Sequence, residues 1–150
     1  MSNIAIRTAL VAEREQLEAL QWRASLNNPG DREVLLANPD AIAIAAEQIA
    51  GGLMFAAQLD DQLVGFAAIL PRMEGGFDLD ALFVEPSLQR HGIGRQLIAH
   101  CAHVARSRGA AAIHVVGNPH AEAFYRSCGF ELHGTEQTRF GVGLLMQLPL

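Results

Sequence analysis

Apolar and polar positions in the first part of the chain follow a helical period after one short strand. Ile4–Thr8 alternates like a β-strand, and between residues 11 and 26 the apolar side chains recur at helical spacing with acidic residues between them. Two shorter helices are predicted after it, at 31–36 and 40–50, and each begins at an aspartate that is expected to cap it. These aspartates are Asp31 and Asp40.

The period changes to that of β-strands after residue 52. Runs at 53–59 and 62–70 are separated by two aspartates, which predicts a β-hairpin. Phe77–Val84 alternates cleanly, so Asp78 and Asp80 are predicted to share one face of the next strand.

Strands and helices alternate in the remaining part of the chain. An apolar stripe from residue 92 onward predicts an amphipathic helix that ends at Gly109. The short apolar run at 111–116 indicates a buried strand, and Asn118 followed by proline is typical of a helix start. Two further strands are predicted, at 129–133 and 140–148.

This order of elements predicts the fold class. A strand, helices, a hairpin and then alternating strands and helices indicate an α+β fold with a mixed, mostly antiparallel central sheet of six or seven strands flanked by helices. A chain of 150 residues has the length of one domain, so we predict a single domain over residues 1–150.

Composition and charge narrow the possible partners. Half of the residues are apolar and 18% are charged, which excludes a disordered chain. All 11 basic residues are arginines, and the net charge of −5 comes with no basic stripe, so no nucleic acid is expected as a partner. No membrane span or signal peptide is evident, so a cytoplasmic protein with no membrane partner is expected. Cys101 and Cys128 form no CxxC pair, and no metal is expected.

The turn after the strand at Phe77–Val84 has the chemistry of an anion site. A strand ends, two glycines follow, and a helix begins whose first N–H groups have no partner within the helix. The alternative is a strand–helix turn in which glycine serves packing alone. The chain has no lysine for a Walker A loop, and residue 97 is not the third glycine of a dinucleotide fingerprint. The residues of the turn are Gln89, Arg90, His91, Gly92, Ile93, Gly94 and Arg95.

A second segment changes the balance between these alternatives. Asn118 is followed by Ala121, by the pair Phe124–Tyr125 and by Gly129–Phe130. Together with Gln89-x-x-Gly92-x-Gly94, this series resembles the Gcn5-related N-acetyltransferase superfamily, in which Q/R-x-x-G-x-G/A binds the pyrophosphate of coenzyme A. The order of strands and helices agrees with that family over nearly the whole chain.

The resemblance implies a cofactor site for acetyl-CoA. In the family the sheet is splayed at the cofactor cleft, and the pantetheine arm pairs there with backbone groups, here those of Leu82, Phe83 and Val84. The pyrophosphate is expected on the N–H groups from Arg90 to Arg95. Asn118 is expected to bond the arm, or to act only as a helix cap.

The resemblance also implies an acid and leaves the base open. Tyr125 matches the family's general acid, which assists the thiolate leaving group, although a half-buried aromatic side chain is the alternative. Asp78 and Asp80 are candidates for the base, and Glu74 is a third candidate that ranks below them. Equally, the two aspartates can be solvated strand residues that only attract a cationic acceptor.

The function implied is acetyl transfer from acetyl-CoA to a primary amine, with a small molecule preferred as the acceptor. The alternatives are acetylation of a protein lysine or N-terminus and a non-catalytic module that binds coenzyme A or a protein partner. A homodimer is possible, since the apolar C-terminal strand at 142–150 could pair across a dimer as edge strands do.

Overall fold

Seven strands and five α-helices make up the part of the chain that the structure describes. The structure is a computed structural model, and it describes residues 3–28, 31–138 and 141–150. The strands are β1 (Ile4–Thr8), β2 (Met54–Leu59), β3 (Gln62–Pro71), β4 (Phe77–Val84), β5 (Ala112–Gly117), β6 (Glu131–Thr138) and β7 (Gly141–Pro149). The helices are α1 (Arg14–Asn27), α2 (Asp31–Ala37), α3 (Ala46–Ala50), α4 (Ile93–Ser107) and α5 (Glu122–Ser127), with 3-10 turns at Val11–Glu13, Pro86–Leu88 and Pro119–Ala121.

One mixed sheet contains the seven described strands, in the order β1-β2-β3-β4-β5-β7-β6. The pairs β1–β2, β2–β3, β5–β7 and β6–β7 are antiparallel, whereas β4 and β5 are parallel. The predicted α+β class, with a mostly antiparallel sheet of six or seven strands, is therefore confirmed.

The chain divides into two compact units, and β3, β4 and α4 each contribute residues to both. The first comprises residues 1–68 and 81–97. Its core joins the inner sides of α1 and α3 to β2 and β3, and Ala81 and Phe83 of β4 pack against that core. Burying each large apolar side chain contributes about 1.5–3 kcal/mol. The largest side chains of this core are those of Leu17, Leu20, Ile49, Met54 and Phe66.

The second unit comprises residues 69–80 and 98–150. Its buried side chains come from the apolar stripe of α4, from alternate positions of β4, β5 and β7, from Ile69 at the end of β3 and from Phe130 after α5. The stripe of α4 is the one that the helical period predicts. The buried residues of these elements include Ile98, Cys101, Ala105, Ile113, Val115, Leu144 and Met146.

Glycines in the left-handed region bound α4 at both ends. Gly92 has φ 82° before the first residue of the helix, and Gly109 has φ 79° after its last turn. Glycine adopts this conformation without the steric cost that a Cβ brings. The predicted start and end of this helix are both confirmed. None of the described helices is both long and apolar enough to cross a membrane.

The third helix is shorter than the sequence predicts. It begins at Ala46, after an extended Ala45 with ψ 137°, so Asp40 does not cap it. The chain before it is held outside a helix because the N–H of the buried Ile44 donates to Glu18 Oε2 at 2.7 Å. The density of alanine favoured a helix here, but this tertiary hydrogen bond overrides that local preference. In α2, Asp31 is the first helical residue.

Two predictions about the later strands need correction, and a third lies partly outside the described residues. The strand predicted at 111–116 is buried on one face only, because Val116 is 52% exposed. The strand predicted at 129–133 begins at Glu131 and continues to Thr138. Phe140, the predicted start of the last strand, lies outside the described residues, and β7 is described from Gly141.

The C-terminal strand is not an edge strand. β7 pairs with β5 on one side, from Leu144 to Pro149, and with β6 on the other, from Gly141 to Gln147. The expectation that this strand is available for pairing across a dimer is therefore wrong, since both of its hydrogen-bonding edges are used within the chain. β6 lies at that end of the sheet instead.

Candidate active site

The predicted anion loop has an open backbone at the start of α4. Arg90 and Gly92 both have positive φ, of 70° and 82°. A Cβ built at Gly92 would have no neighbouring atom within 4 Å, so its backbone faces open space. Ile93 directly after it is only 2% exposed and anchors the helix start in the first unit. The loop is thus fixed by one buried side chain while the residues before it stay accessible.

The electrostatics of this helix start favour an anion. α4 is 15 residues long, which is sufficient for the partial positive charge of aligned peptide dipoles at its beginning. Its first turn, residues 93–96, contains no acidic side chain to neutralise that charge. The exposed Arg90, His91 and Arg95 lie in the same segment, and the N–H of Gln96 donates to the carbonyl of Gly92 at 3.0 Å. Gly94 lies within the first turn.

The end of β4 is held firmly within the first unit. The ring of Phe83 lies 5.5 Å from that of Phe66, between centroids, and the Glu85 N–H donates to the Val64 carbonyl at 2.8 Å. Arg23 of α1 makes a two-pronged ion pair with Glu85, at 3.1 and 2.7 Å. Leu82, Phe83 and Val84 are half-buried strand residues whose backbone is positioned by these contacts.

Asn118 caps the helix that follows it, which is one of its two predicted roles. Its Oδ1 accepts the His120 N–H at 2.9 Å, and Pro119 follows at the first helical position. The helix starts with a 3-10 turn and continues as α5. Since the cap uses the amide oxygen, the Nδ2 group is the part of Asn118 that is suited to donate to a ligand.

Tyr125 lies in an aromatic setting on α5. Its ring packs edge-on against Phe124 and Phe130, with centroids 5.4 and 5.3 Å away. A Cβ added to Gly117 would lie only 3.1 Å from Tyr125 Cε2, so the bare backbone of β5 forms one wall for the ring. Burial raises the pKa of the Tyr125 phenol to about 12. The hydroxyl therefore stays protonated at neutral pH and can act as a donor.

Asp78, the first candidate base, is already paired with a cation. Its Oδ1 accepts from Arg72 Nη1 at 2.6 Å, across the hairpin turn that joins β3 to β4. The pair is part-exposed, so it is screened by solvent. A carboxylate oxygen that accepts from a guanidinium has less capacity to accept a proton from a substrate. Asp80 is exposed further along β4, and Glu74 lies exposed in the hairpin turn.

His114 is a candidate that the sequence reading missed. It lies on β5 directly opposite Asp78 in the parallel register and is half-buried. Burial lowers the pKa of its imidazole below the ordinary value, and the guanidinium of Arg72 lowers it further, against the opposing effect of Asp78. We refer to these three residues as the Arg72–Asp78–His114 cluster. Its signal in the sequence was one polar residue inside an otherwise apolar strand.

Comparison with known proteins identifies the family. A family model described as the Acetyltransferase (GNAT) family matches residues 14–130. The chain is 29% identical over 110 residues to the uncharacterized N-acetyltransferase YvbK of Bacillus subtilis, covering 71% of this chain and 70% of that protein. The chain belongs to the GNAT acetyltransferase family, and it is an N-acetyltransferase of that family.

Solved structures share the fold over nearly its full length. The PaiA N-acetyltransferase of Thermoplasma acidophilum, solved in complex with coenzyme A, has a TM-score of 0.78 at 18% identity, and each chain covers 99% of the other. The ribosomal-protein-alanine N-acetyltransferase of Brucella melitensis has a TM-score of 0.73 at 27% identity, over 97% of this chain and 99% of its own. These similarities confirm the fold expected from the loop and from the Asn118–Phe130 segment.

Proposed function

We propose that this protein transfers the acetyl group of acetyl-CoA to a primary amine of a small molecule, by direct attack of the amine on the thioester. The observation that carries the cofactor assignment is the start of α4, where an open, left-handed Gly92 precedes a first turn without acidic side chains. A pyrophosphate is the anion that such a helix start suits.

The cofactor would bind mainly through backbone groups of the first unit. Its pyrophosphate would accept from the N–H groups between Arg90 and Arg95, with the side chains of Arg90, His91 and Arg95 at the rim. Its pantetheine amides would pair with the strand backbone of Leu82 and Val84, in the manner of an added strand. Family membership and the coenzyme A complex of the Thermoplasma acidophilum protein support this assignment. Asn118 would add one donor, its Nδ2 group.

Tyr125 would assist the departing thiolate by a hydrogen bond. Its phenol has a pKa raised to about 12 by burial, whereas a thiol has an ordinary pKa of about 8.5. Complete proton transfer from the phenol to the thiolate is therefore uphill, but donation of an O–H hydrogen bond to the developing negative charge is favourable. The burial that raises this pKa also lowers the polarity around the hydroxyl, which strengthens such a bond.

Acidic side chains favour a cationic amine as the acceptor. Asp78 and Asp80 lie on one face of β4, and Glu74 lies in the turn before it. Arg72 offsets the charge of Asp78, so these four side chains together remain negatively charged. An amine with more than one positive charge gains more from these carboxylates than a single ammonium group does. This supports a small polycationic amine as the acceptor.

A second candidate acceptor is the α-amine of a protein N-terminus. The Brucella melitensis protein named above, a ribosomal-protein-alanine N-acetyltransferase, matches nearly the full chain at 27% identity. The two acceptor classes are separated by turnover, with 1,4-diaminobutane as the small probe and a peptide beginning with alanine as the other. Faster release of coenzyme A with the diamine supports the first proposal, and faster release with the peptide supports the second.

The test of the cofactor assignment is a calorimetric titration with acetyl-CoA. We expect micromolar binding, together with little binding of free adenosine, because adenosine lacks the pyrophosphate that the α4 loop would hold. Absence of acetyl-CoA binding at millimolar concentration would show that the turn at 89–95 serves packing alone. Binding without turnover of either amine probe would instead support a non-catalytic coenzyme A module.

A further inference from the structure

The Arg72–Asp78–His114 cluster lies where the pairing between β4 and β5 ends. Within the described residues of the second unit, the register of these strands contains two pairs, Phe77 with Ile113 and Asp78 with His114. Beyond His114, β5 continues to pair with β7 up to Gly117. His114 is thus the last residue of β5 that is paired with β4 in the described register.

A bound pantetheine arm would bring the thioester toward this point. If its two amides pair with the backbone of Val84 and Leu82 as proposed, the thioester carbon lies about 5 Å beyond the second amide, which is roughly one to two residues further back along β4 at 3.3 Å per residue. The reacting carbonyl would then lie near Asp80, two residues from Asp78 on the same face of β4, so this step rests on the proposed function.

The surroundings of His114 fit a residue that accepts a proton. Charged and titratable groups act on it from each neighbouring segment: Arg72 and Glu74 from the hairpin turn, Asp78 from β4 and His133 from β6. Its partner on β7 is Gln147, which does not titrate. The ring lies beside a backbone wall, since a Cβ added to Gly76 would be 3.6 Å from His114 Nε2. Because burial and Arg72 hold its pKa down, the imidazole is neutral near neutral pH and has a lone pair to offer.

We propose that His114, rather than Asp78 or Asp80, takes the proton from the incoming ammonium group, directly or through one water. The neutral amine then forms its N–C bond to the acetyl carbonyl carbon. The C–S bond breaks, and its electron pair leaves with the sulfur. The second amine proton, lost as the amide forms, ends on the coenzyme A thiolate, while the proton on His114 passes to solvent. Asp78 acts as a positioning residue, because it is the register partner of His114 and its carboxylate is held by Arg72.

The experiment compares H114Q, D78N and a matched control, H103Q, which replaces an exposed histidine on α4. kcat/KM is measured against pH with 1,4-diaminobutane and with the alanine peptide. We expect H114Q to lose about 100-fold in kcat/KM at neutral pH, the usual effect of removing a general base, with D78N losing less and H103Q unchanged. The deficit of H114Q should narrow toward about pH 10, where the amine loses its proton without help.

Two further readouts keep the outcome unambiguous. Acetyl-CoA affinity of H114Q should equal that of the wild type, so a failure of cofactor binding in both proteins would reject the proposed function itself. If H114Q does not fold, H114N replaces it. The NMR titration of the His114 imidazole in the acetyl-CoA complex of the wild type should give a pKa below the ordinary histidine value. A pKa at or above the ordinary histidine value, or an equal loss of rate at every pH, would overturn the role of His114.

Discussion

The loop at 89–95 and the Arg72–Asp78–His114 cluster differ in which atoms carry their chemistry. The loop offers backbone N–H groups, and its conformation depends on the left-handed Gly92 and the buried Ile93. The cluster offers side chains that come from a hairpin turn and two strands, placed together by strand pairing. We therefore expect substitutions in the loop to change cofactor affinity, and substitutions near the cluster and Tyr125 to change the rate.

The largest effect is expected from Tyr125→Phe, which removes one hydroxyl and keeps the aromatic packing. If the phenol stabilises the thiolate, kcat should fall by about 100-fold or more, while the Kd for acetyl-CoA changes little. Stopped-flow turnover and calorimetry measure the two quantities. Equal losses in kcat and in affinity would place Tyr125 among the binding residues. They would contradict the proposal that the loop sets cofactor affinity while Tyr125 and the cluster set the rate.

Gly92→Ala should have the next largest effect, and that effect should fall on affinity. Its Cβ would enter the open space where the pyrophosphate is proposed to bind, and φ 82° costs an alanine about 1–2 kcal/mol. We expect the Kd for acetyl-CoA to rise at least about tenfold, with kcat at saturation nearly unchanged.

Gly109→Ala is the matched control for this substitution. Gly109 ends the same helix with φ 79°, and a Cβ there would also meet no atom within 4 Å. The two variants should therefore lose similar thermal stability, measured by calorimetry, while only Gly92→Ala loses affinity. If both bind acetyl-CoA equally well, the start of α4 does not hold the cofactor.

Gly117→Ala tests whether the position of the Tyr125 ring matters. The new Cβ would lie 3.1 Å from Cε2 of that ring, which must move by a few tenths of an ångström. Because small displacements of a catalytic group are costly, we expect a loss of about fivefold to tenfold in kcat. Gly134→Ala is the control, since its Cβ would make an ordinary contact, at 3.8 Å from Leu145 Cδ1. A rate in Gly117→Ala equal to that of the control would argue against a positioned phenol.

The contrast between features set by consecutive residues and features set by long-range pairing also explains how much of the fold could be predicted from the sequence. The limits of β1 and β4 and the glycines that bound α4 were predictable, because local periodicity and glycine conformation determine them. The late start of α3 was not, since it depends on a hydrogen bond between residues 26 positions apart, Glu18 and Ile44. The place of β7 inside the sheet depends likewise on long-range pairing.

The candidate site also has one part that can be predicted from consecutive residues and one part that depends on long-range pairing. The glycine loop can be found in a linear sequence because its residues are consecutive. The ion pair of Asp78 with Arg72 and the register of Asp78 with His114 arise only when the hairpin and β5 are in place. The sequence alone therefore offers Asp78 as a base without its cation, and it shows His114 only as one residue of an apolar run.

The smallest effect is expected from Arg72→Gln, which removes the cation of the cluster. The ion pair is part-exposed, so its loss should cost only about 0.5 kcal/mol of unfolding free energy. Arg72 lowers the pKa of His114 and Asp78 raises it, so without the guanidinium that pKa should move up toward its ordinary value. If His114 must be neutral to act, the acidic limb of the kcat/KM profile should shift to higher pH, since a larger fraction of the imidazole is then protonated at each pH. An unchanged limb would mean that the titration seen in the rate belongs to another group, and the separation between an affinity loop and a rate-setting cluster would then rest on Tyr125 alone.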